Sequence, residues 1–350
     1  MSRHWKSSVI FLFNLIAILC VNRVDAQVDH TLKIKGTPRI YSPDLLEWKT
    51  DFDPKTPDLT EPTSNRIYDL HMQINNCEGF DLILSTSGNY HMALTEFWYD
   101  YFLPKYDLKN WFFSTSPPIG VEQAKNGALS FSNVALRCVP HLVVGPQAVM
   151  ESLDQEGLME GQPILIFTNK GNVLLVKKGN PKNIKTLWDL SRSDVVLGTS
   201  NPYTEVGSFG NYANSIYNMA LEARGEEEAE VFFQSIFGKE TEKWVSGKRI
   251  HHREVPHLVY ANQADVGIVF YHLARYFVDS FPEEFEIVPL GGSVENPDPM
   301  LGNKIAKLFI AKVKTELSDK QLKFREALIQ EIKENALDPY LLKHHINAIR

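Results

Sequence analysis

The chain has 350 residues, of which 43% are hydrophobic, 11% aromatic and 23% charged, and its formal net charge is −7. A chain of this length can form two lobes of ordinary size, and the aromatic content supports packed cores rather than global disorder. The acidic balance argues against nucleic-acid binding, which normally depends on a basic surface.

The first 26 residues are predicted to form a secretory signal peptide. Arg3 and Lys6 precede an apolar run at residues 9–21, and the small-residue pattern that ends at Ala26 suits a cleavage site. The alternative is an uncleaved membrane anchor, although the run is short for a membrane span. Cleavage near Ala26 would remove three basic residues and one acidic residue, which changes the formal charge from −7 to −9.

Residues 27–67 are predicted to form a Pro-rich extension, because five prolines interrupt the chain between residues 38 and 62. We expect an extended segment that lies on the first lobe, with Tyr41, Leu46 and Trp48 as candidate anchors. The alternative is a flexible spacer.

Two cysteines, Cys77 and Cys138, follow the signal peptide, and each shortly precedes a predicted strand. Export permits a disulfide. If the two strands are parallel neighbours, both thiols lie at the same end of the sheet and can pair. Two separate buried thiols fit the same pattern equally well.

Residues 68–168 are predicted to form the first part of one lobe. A buried strand at residues 81–85 leads through a small polar turn into a helix from His91 to about Tyr101. A second strand at residues 111–113 leads into a Ser-rich turn and another helix. Where a strand delivers the chain to a helix, free N–H groups and the helix dipole favour an anion, although Ser and Gly also occur there for capping alone. The candidate ligand residues of these turns are Ser87, Gly88, Asn89, Ser114 and Ser116.

The stretch at residues 163–202 indicates a crossing between two lobes. It contains apolar runs at residues 164–167 and 173–176, a predicted helix at 184–190 and a strand that begins at Val195, separated by Gly and Asn-Pro breaks. This order predicts parallel strands in βαβ units, with the chain leaving one α/β lobe and building a second. We assign residues 169–285 to the second lobe and residues 286–350 to the returning part of the first lobe with C-terminal helices.

The second lobe contains an unusual run of charged residues, Lys248–Glu254, before a helix expected to begin near Pro256. Arg253 is the candidate charged donor for an oxyanion. His251 and His252 would point apart in a strand, so one metal ion could not readily take both. A solvated surface cluster is the alternative. Two further candidate contacts follow the preceding strand, Asn201 and Ser208.

These landmarks resemble the type II periplasmic solute-binding fold, above all its molybdate-binding branch and related exported oxyanion-binding proteins. The resemblance covers about residues 68–345 and is carried by four stretches in the expected order: Leu84–Asn89, the turn and helix at 114–127, residues 180–207, and Ala-Asp-Val-Gly-Ile-Val at 264–269. It implies an α/β fold of two lobes, each a mostly parallel sheet flanked by helices, with a hinge near Phe167 and Pro289.

Three features depart from the molybdate-binding branch. Phe270 stands where that branch has a tyrosine, and Tyr271 would face the opposite side of a strand. Pro117 and Pro118 replace residues with backbone N–H groups, and the His-His-Arg-Glu run is foreign to the pattern. The resemblance therefore predicts the fold but does not transfer molybdate as the ligand.

The resemblance implies a periplasmic binding protein rather than an enzyme, with no cofactor and no metal. It would act as a monomer, hold a small anion (a molybdate-like oxyanion or another anionic solute) between its lobes, and deliver it to an ABC-type permease. The sequence lacks the G-x-S-x-G, H-E-x-x-H and phosphate-loop motifs that would prompt a catalytic interpretation. A sensor or accessory protein of the same fold, which binds an organic ligand, a metal complex or a protein partner, is the alternative.

Overall fold

The computed structural model describes residues 34–41, 69–73, 79–116, 121–127, 129–131, 134–136, 139–238, 241–248 and 251–349. The predicted signal peptide, Cys77, Cys138 and most of the Pro-rich extension lie outside these residues. Within them, none of the helices combines the length and the apolar composition needed to cross a bilayer.

The described residues form strands and helices in alternation. The strands are β1 (Arg39–Ile40), β2 (Asp69–Gln73), β3 (Leu82–Thr86), β4 (Trp111–Ser116), β5 (Leu129–Phe131), β6 (Val134–Leu136), β7 (Leu142–Pro146), β8 (Met159–Thr168), β9 (Asn172–Lys177), β10 (Leu197–Thr199), β11 (Trp244–Ser246), β12 (Val266–Phe270), β13 (Phe285–Val288), β14 (Lys307–Val313) and β15 (Asn347–Ala348). The α-helices are α1 (His91–Glu96), α2 (Leu103–Tyr106), α3 (Val121–Asn126), α4 (Gln147–Gln155), α5 (Val206–Arg224), α6 (Glu226–Phe237), α7 (His251–Tyr260), α8 (Tyr271–Ser280), α9 (Asp319–Lys333) and α10 (Asp338–Lys343). A π-helical turn joins α1 to α2, and a 3₁₀-helix spans Leu187–Ser191.

The first lobe is built on a seven-stranded sheet with the order β15-β8-β14-β7-β3-β4-β2. Its centre is parallel, because β3 pairs with β4 on one side and β7 on the other in the same direction. All five residues of β3 are buried, as expected for a parallel strand covered on both faces. The helical segment after β3 packs Phe97, Trp98 and Phe102 into the core of this lobe.

The second lobe is built on a six-stranded sheet with the order β1-β11-β10-β12-β9-β13. Strands β1, β11, β10 and β12 run parallel, and helices α5 to α8 pack around them. The predicted two-lobed α/β fold, with helices flanking two sheets, is confirmed.

The expectation that residues 164–167 and 173–176 lie in strands with parallel neighbours is wrong. These residues lie in β8 and β9, which belong to different sheets, and each strand runs antiparallel to its neighbours. β9 enters the second sheet from the first lobe, and β14 enters the first sheet from the second lobe, so no βαβ unit sets the direction of either strand. β8 keeps the direction of β7, because both strands run antiparallel to β14 between them.

The prediction that the extension lies on the first lobe is wrong for its described part, which lies on the second lobe. β1 pairs with β11 in parallel, and the Tyr41 N–H donates to the Ser246 carbonyl over 2.8 Å. Tyr41 also packs against the hydrophobic core of the second lobe. Without β1, the backbone groups of β11 would form an open sheet edge. The other two candidate anchors, Leu46 and Trp48, lie outside the described residues.

The chain also passes from β1 in the second sheet to β2 in the first, through residues outside the described part. Two described segments join the lobes, and buried asparagines bind these segments to each other. The Asn172 N–H donates to Asn303 Oδ1 over 2.8 Å, and Asn303 Nδ2 donates back to the Asn172 carbonyl over 2.9 Å. Asn169 Oδ1 accepts from the Ala306 N–H over 2.8 Å. The second crossing therefore lies near residue 303 rather than at Pro289. Residues 286–288, expected in the returning part of the first lobe, pair with β9 in the second sheet.

Replacement of Asn303 by alanine is expected to lower the free energy of unfolding by about 1–3 kcal/mol, because it leaves the buried backbone N–H and C=O of Asn172 without their partners. Urea unfolding of Asn303→Ala and wild type measures the difference. Asn296→Ala, an exposed position in the same crossing segment, is the matched control and should be nearly neutral. Equal effects of the two substitutions would contradict this account of the hinge.

Candidate functional site

The candidate site lies where the carboxyl ends of the parallel strands of both lobes meet. In the second lobe, β10, β11 and β12 end at this edge, and α5, α7 and α8 begin beyond it. In the first lobe, β3 ends there and leads into α1. Ligands of open α/β sheets bind outside these strand ends, so the topology places a cleft between the lobes.

The predicted first-lobe loop contacts the second lobe directly. The Ser87 N–H donates to the Val144 carbonyl within its own sheet over 3.1 Å. Across the cleft, the Asn89 carbonyl accepts from His272 Nε2 over 2.7 Å. Because a carbonyl can only accept, His272 carries its proton on Nε2. Gly88 lies between these residues, and its carbonyl is 3.0 Å from His91 Nδ1.

The other predicted residues of the first lobe, Ser114 and Ser116, lie at the end of β4 next to β3, with Ser114 opposite Ser85. The backbone of β4 is described, whereas the side chains of its last three residues lie outside the described part of the chain. Two strand ends of the first lobe therefore adjoin the cleft.

In the second lobe, the Asn201 side chain holds the loops that form the site. Its Oδ1 accepts from the backbone N–H groups of Tyr203 and Thr204 at 2.8 and 3.2 Å, and its Nδ2 donates to the Gly247 carbonyl over 2.9 Å. This carboxamide ties the loop after β10 to the loop after β11. Ser208 is the third residue of α5, and its backbone N–H therefore lies in the first helical turn.

Helix α7 begins at His251 and not near Pro256, which lies inside the helix. The His251 N–H donates to Glu205 Oε2 over 2.7 Å, and the ring Nδ1 lies 2.5 Å from Ser200 Oγ. A carboxylate at a helix N-terminus satisfies N–H groups and interacts favourably with the dipole. The cap comes from a loop some 45 residues away in the sequence (Glu205 to His251), so no local signal marks this helix start. Arg253 is the third residue of α7.

Five stacked rings, which we call the ring cluster, connect the two lobes beside this site. Tyr90 of the first lobe stacks on His272 of the second with centroids 4.7 Å apart and planes at 17°. Phe270 stacks on His272 at 5.7 Å, Tyr212 lies 5.2 Å from Phe270, and Tyr212 stacks on His251 at 3.9 Å. All five rings are buried. None of them is among the predicted ligand residues.

Polar atoms without hydrogen-bond partners among the described residues accumulate around the ring cluster. They include Thr199 Oγ1, Tyr212 Oη, His252 Nε2 and His272 Nδ1. Buried polar atoms in proteins are normally paired, so their concentration here indicates a place suited to a polar ligand. Thr199 is the last residue of β10, and His272 is the second residue after β12. Their position at strand ends is the sequence signal that could have identified them.

The ionisable rings of the site are neutral at pH 7. Burial lowers the pKa of His251 and of His272 to about 3. Burial, together with the neighbouring Tyr90 and Glu205, raises the pKa of the Tyr212 phenol well above its ordinary value. The rings can therefore donate hydrogen bonds to a ligand or accept them from it, and they carry no charge of their own. Among the residues that the structure describes, no three His, Cys, Asp or Glu side chains are placed to hold a metal ion.

Comparison with known proteins supports this architecture. Residues 140–301 match the family model described as bacterial extracellular solute-binding protein. No curated protein sequence matches the chain.

Several solved structures have a similar fold. The sulfate-binding protein SubI from Mycobacterium tuberculosis H37Rv is 14% identical, with a TM-score of 0.53 over 77% of this chain and 86% of its own. Peb3 from Campylobacter jejuni is 15% identical, with a TM-score of 0.52 over 77% of this chain and 100% of its own, and a related structure of PEB3 contains L-phospholactate. Iron-bound HitA from Pseudomonas aeruginosa is 14% identical, with a TM-score of 0.52 over 77% of this chain and 86% of its own. Residues 140–301 thus carry the sequence features of the extracellular solute-binding family, on a chain whose fold is that of two-lobed periplasmic binding proteins.

Proposed function

We propose that this protein binds a small anion between its two lobes, outside the cytoplasm, and delivers it to an ABC-type permease. The observation that carries this proposal is the contact of the first-lobe loop with the first turn of α8 across the cleft, at the carboxyl ends of the strands. Two bound crossing segments form the hinge that closure about a ligand needs.

Helix N-termini support an anion as the ligand. α5, α7 and α8 have ten or more residues each and begin at the cleft. Their N-terminal N–H groups and dipoles favour negative charge. The structurally similar proteins include a sulfate-binding protein and one that contains L-phospholactate, which is consistent with an oxyanion or an acidic organic solute. The proposed contacts are Ser87, Gly88, Asn89, Ser114, Ser116, Asn201, Ser208 and Arg253.

Export and transport complete the proposal. The family match over residues 140–301 suits an extracellular protein, and cleavage of the predicted signal peptide near Ala26 would release the mature chain into the periplasm. A monomer would then carry the anion to its permease.

Thermal unfolding against sulfate, molybdate, phosphate and small carboxylates tests the proposal. An anion present at one hundred times its dissociation constant should stabilise the native state by about 2.7 kcal/mol, which raises the unfolding temperature by a few degrees. One selective responder would support the proposal and identify the anion class. A flat response to the whole panel would overturn it.

Arg253→Ala is expected to remove most of the anion-dependent stabilisation, because a charge-assisted hydrogen bond contributes about 1.5–3 kcal/mol. Calorimetric titration should show the dissociation constant rising by about 10- to 150-fold, the equivalent of that free energy. Arg224→Ala is the matched control, since Arg224 lies at the far end of α5 and stacks over Trp188. An unchanged affinity in Arg253→Ala would remove this residue from the proposed site.

A further inference from the structure

Three of the helices that begin at the cleft, α1, α7 and α8, carry a histidine in their first two residues. His91 is the first residue of α1, His251 and His252 are the first two of α7, and His272 is the second of α8. The positive end of a helix dipole opposes a positive charge on a histidine at this position. The arrangement therefore places four imidazoles at the positive ends of helices, where an anion is expected.

His252 and His91 face each other from opposite lobes. Their ring centroids lie 5.5 Å apart with the planes at 32°. His252 is only 5% exposed, and its Nε2 has no hydrogen-bond partner among the described residues. His91 Nδ1 lies 3.0 Å from the Gly88 carbonyl, so this pair adjoins the first-lobe loop.

The groups around His252 all oppose its protonation. Burial is the largest cause of the lowered pKa of His252, followed by His91 on α1, Arg253 and His251 on its own helix, and His272 on α8. Tyr276 of α8 contacts the other ring of the pair, His91, edge-on at 5.6 Å.

The two carboxylates near the start of α7 are engaged by backbone groups. Glu205 accepts from the His251 N–H, and Glu254 accepts from the Lys248 N–H over 3.0 Å. Both carboxylates keep their charge, but burial and the neighbouring cationic and imidazole groups outweigh them at His252, whose pKa is lowered. A small anion held between α7 and α8 would reverse this balance, because it would place negative charge beside an unpartnered ring nitrogen.

We propose that His252 and His91 are anion contacts and that binding of an ionised oxyanion is accompanied by the uptake of one proton from the solvent onto this histidine pair. The bound anion then contacts an imidazolium rather than a neutral ring. This inference rests on the proposed function and adds to it the residues that carry the counter-charge. It also predicts that capture strengthens as the pH falls.

Calorimetry with sulfate, molybdate and phosphate as probes tests the inference. At pH 6.5, the apparent binding heat in buffers of different ionisation enthalpy should indicate uptake of close to one proton per anion. Because the proton is bound more tightly with the anion present, the affinity should fall by up to about tenfold for each unit of pH rise between the free and bound pKa values. For phosphate, comparison with the variants below separates the proton of the protein from the anion's own.

His252→Gln and His91→Gln keep a polar side chain that cannot take up a proton. The proton uptake should drop to near zero in at least one variant, and the pH dependence of its affinity should flatten. His91 is half-exposed. The His91→Gln variant can therefore be used for the test if His252→Gln, at a buried position, fails to fold. His257→Gln, on the outer part of the same helix beside Tyr41, is the matched control and should keep the wild-type uptake.

Two results would overturn the inference alone: anion binding by the wild type without proton uptake, or uptake that persists in both variants. Failure of all three probes to stabilise the protein at any pH would be a different result. It would overturn the proposed function, and this inference with it.

Discussion

Lowering the pH from 7 to 5 is expected to reduce the free energy of unfolding of the ligand-free protein by at least about 6 kcal/mol. About 2 kcal/mol comes from each of the buried histidines His141, His251 and His272, and buried His252, whose pKa is also lowered, adds to the loss. Burial lowers the pKa of His141 to about 4, helped by the nearby Arg325, and lowers the pKa of His251 and His272 to about 3. Each ring is neutral in the native state and ionises more readily in the unfolded chain.

The direction of this change in stability follows from the number of protons that the native and unfolded states bind. Below the ordinary histidine pKa of 6.5, the unfolded state binds protons that the native state does not. The stability contributed by these rings is therefore fully present above pH 6.5 and is lost as the pH falls toward the native pKa values. Carboxylates with lowered pKa, such as Glu326 and Glu331, start from an ordinary value of 4.5 and act at lower pH. The range from pH 6.5 to 5 thus isolates the histidines.

Urea unfolding at pH 7, 6 and 5 measures this effect. His141→Gln should remove about 2 kcal/mol of the pH dependence while the cleft stays unchanged, because His141 lies in the first lobe at the start of β7. His257→Gln is the control on α7, where the ring is only half-buried. A free energy of unfolding that stays constant between pH 7 and 5 would contradict the buried neutral state of these rings.

The sequence predicts the two lobes because strand and helix signals in this chain are strong and local. The apolar runs at residues 81–85 and 164–167 and the polar turns after strands identify the sheets and the edge where they meet. The directions of the strands at the crossing could not be predicted from such local signals. They depend on how one lobe receives a strand from the other, and the sequence of β9 is equally apolar in either direction.

The sequence predictions that the structure contradicts concern contacts between residues far apart in the chain. β1 has only two paired residues, so no local pattern shows which lobe it joins. The start of α7 depends on Glu205 from a distant loop. The hinge depends on Asn172 and Asn303, which pair across 131 positions. Single polar residues at such sites give no periodic signal in the sequence. They nevertheless determine where the helix begins and where the chain crosses between the lobes.

Tyr90→Ala is expected to lower the free energy of unfolding by about 3–5 kcal/mol, the range found when a large buried ring is truncated to alanine. Tyr90 is 1% exposed. Its ring lies 4.9 Å from Phe167 in the first lobe and stacks on His272 in the second. The substitution would therefore open a cavity between the lobes as well as remove the stacking. Next to it, Met92 belongs to the core of the second lobe although it lies on a first-lobe helix.

Two further variants separate the contact between the lobes from ordinary burial. Tyr99→Ala, on the same helical segment but 41% exposed, should cost about 1 kcal/mol or less. Tyr90→Phe keeps the ring and should change the free energy of unfolding by less than about 1 kcal/mol, because the buried Tyr90 hydroxyl has no hydrogen-bond partner among the described residues. Urea unfolding of the three variants gives the ranking. Small-angle scattering of ligand-free Tyr90→Ala should show a larger radius of gyration than wild type, because Tyr90 is the member of the ring cluster that comes from the first lobe. If Tyr90→Ala were as stable and as compact as Tyr99→Ala, the ring cluster would not hold the lobes together, and closure would have to depend on the Asn89–His272 hydrogen bond and the hinge asparagines.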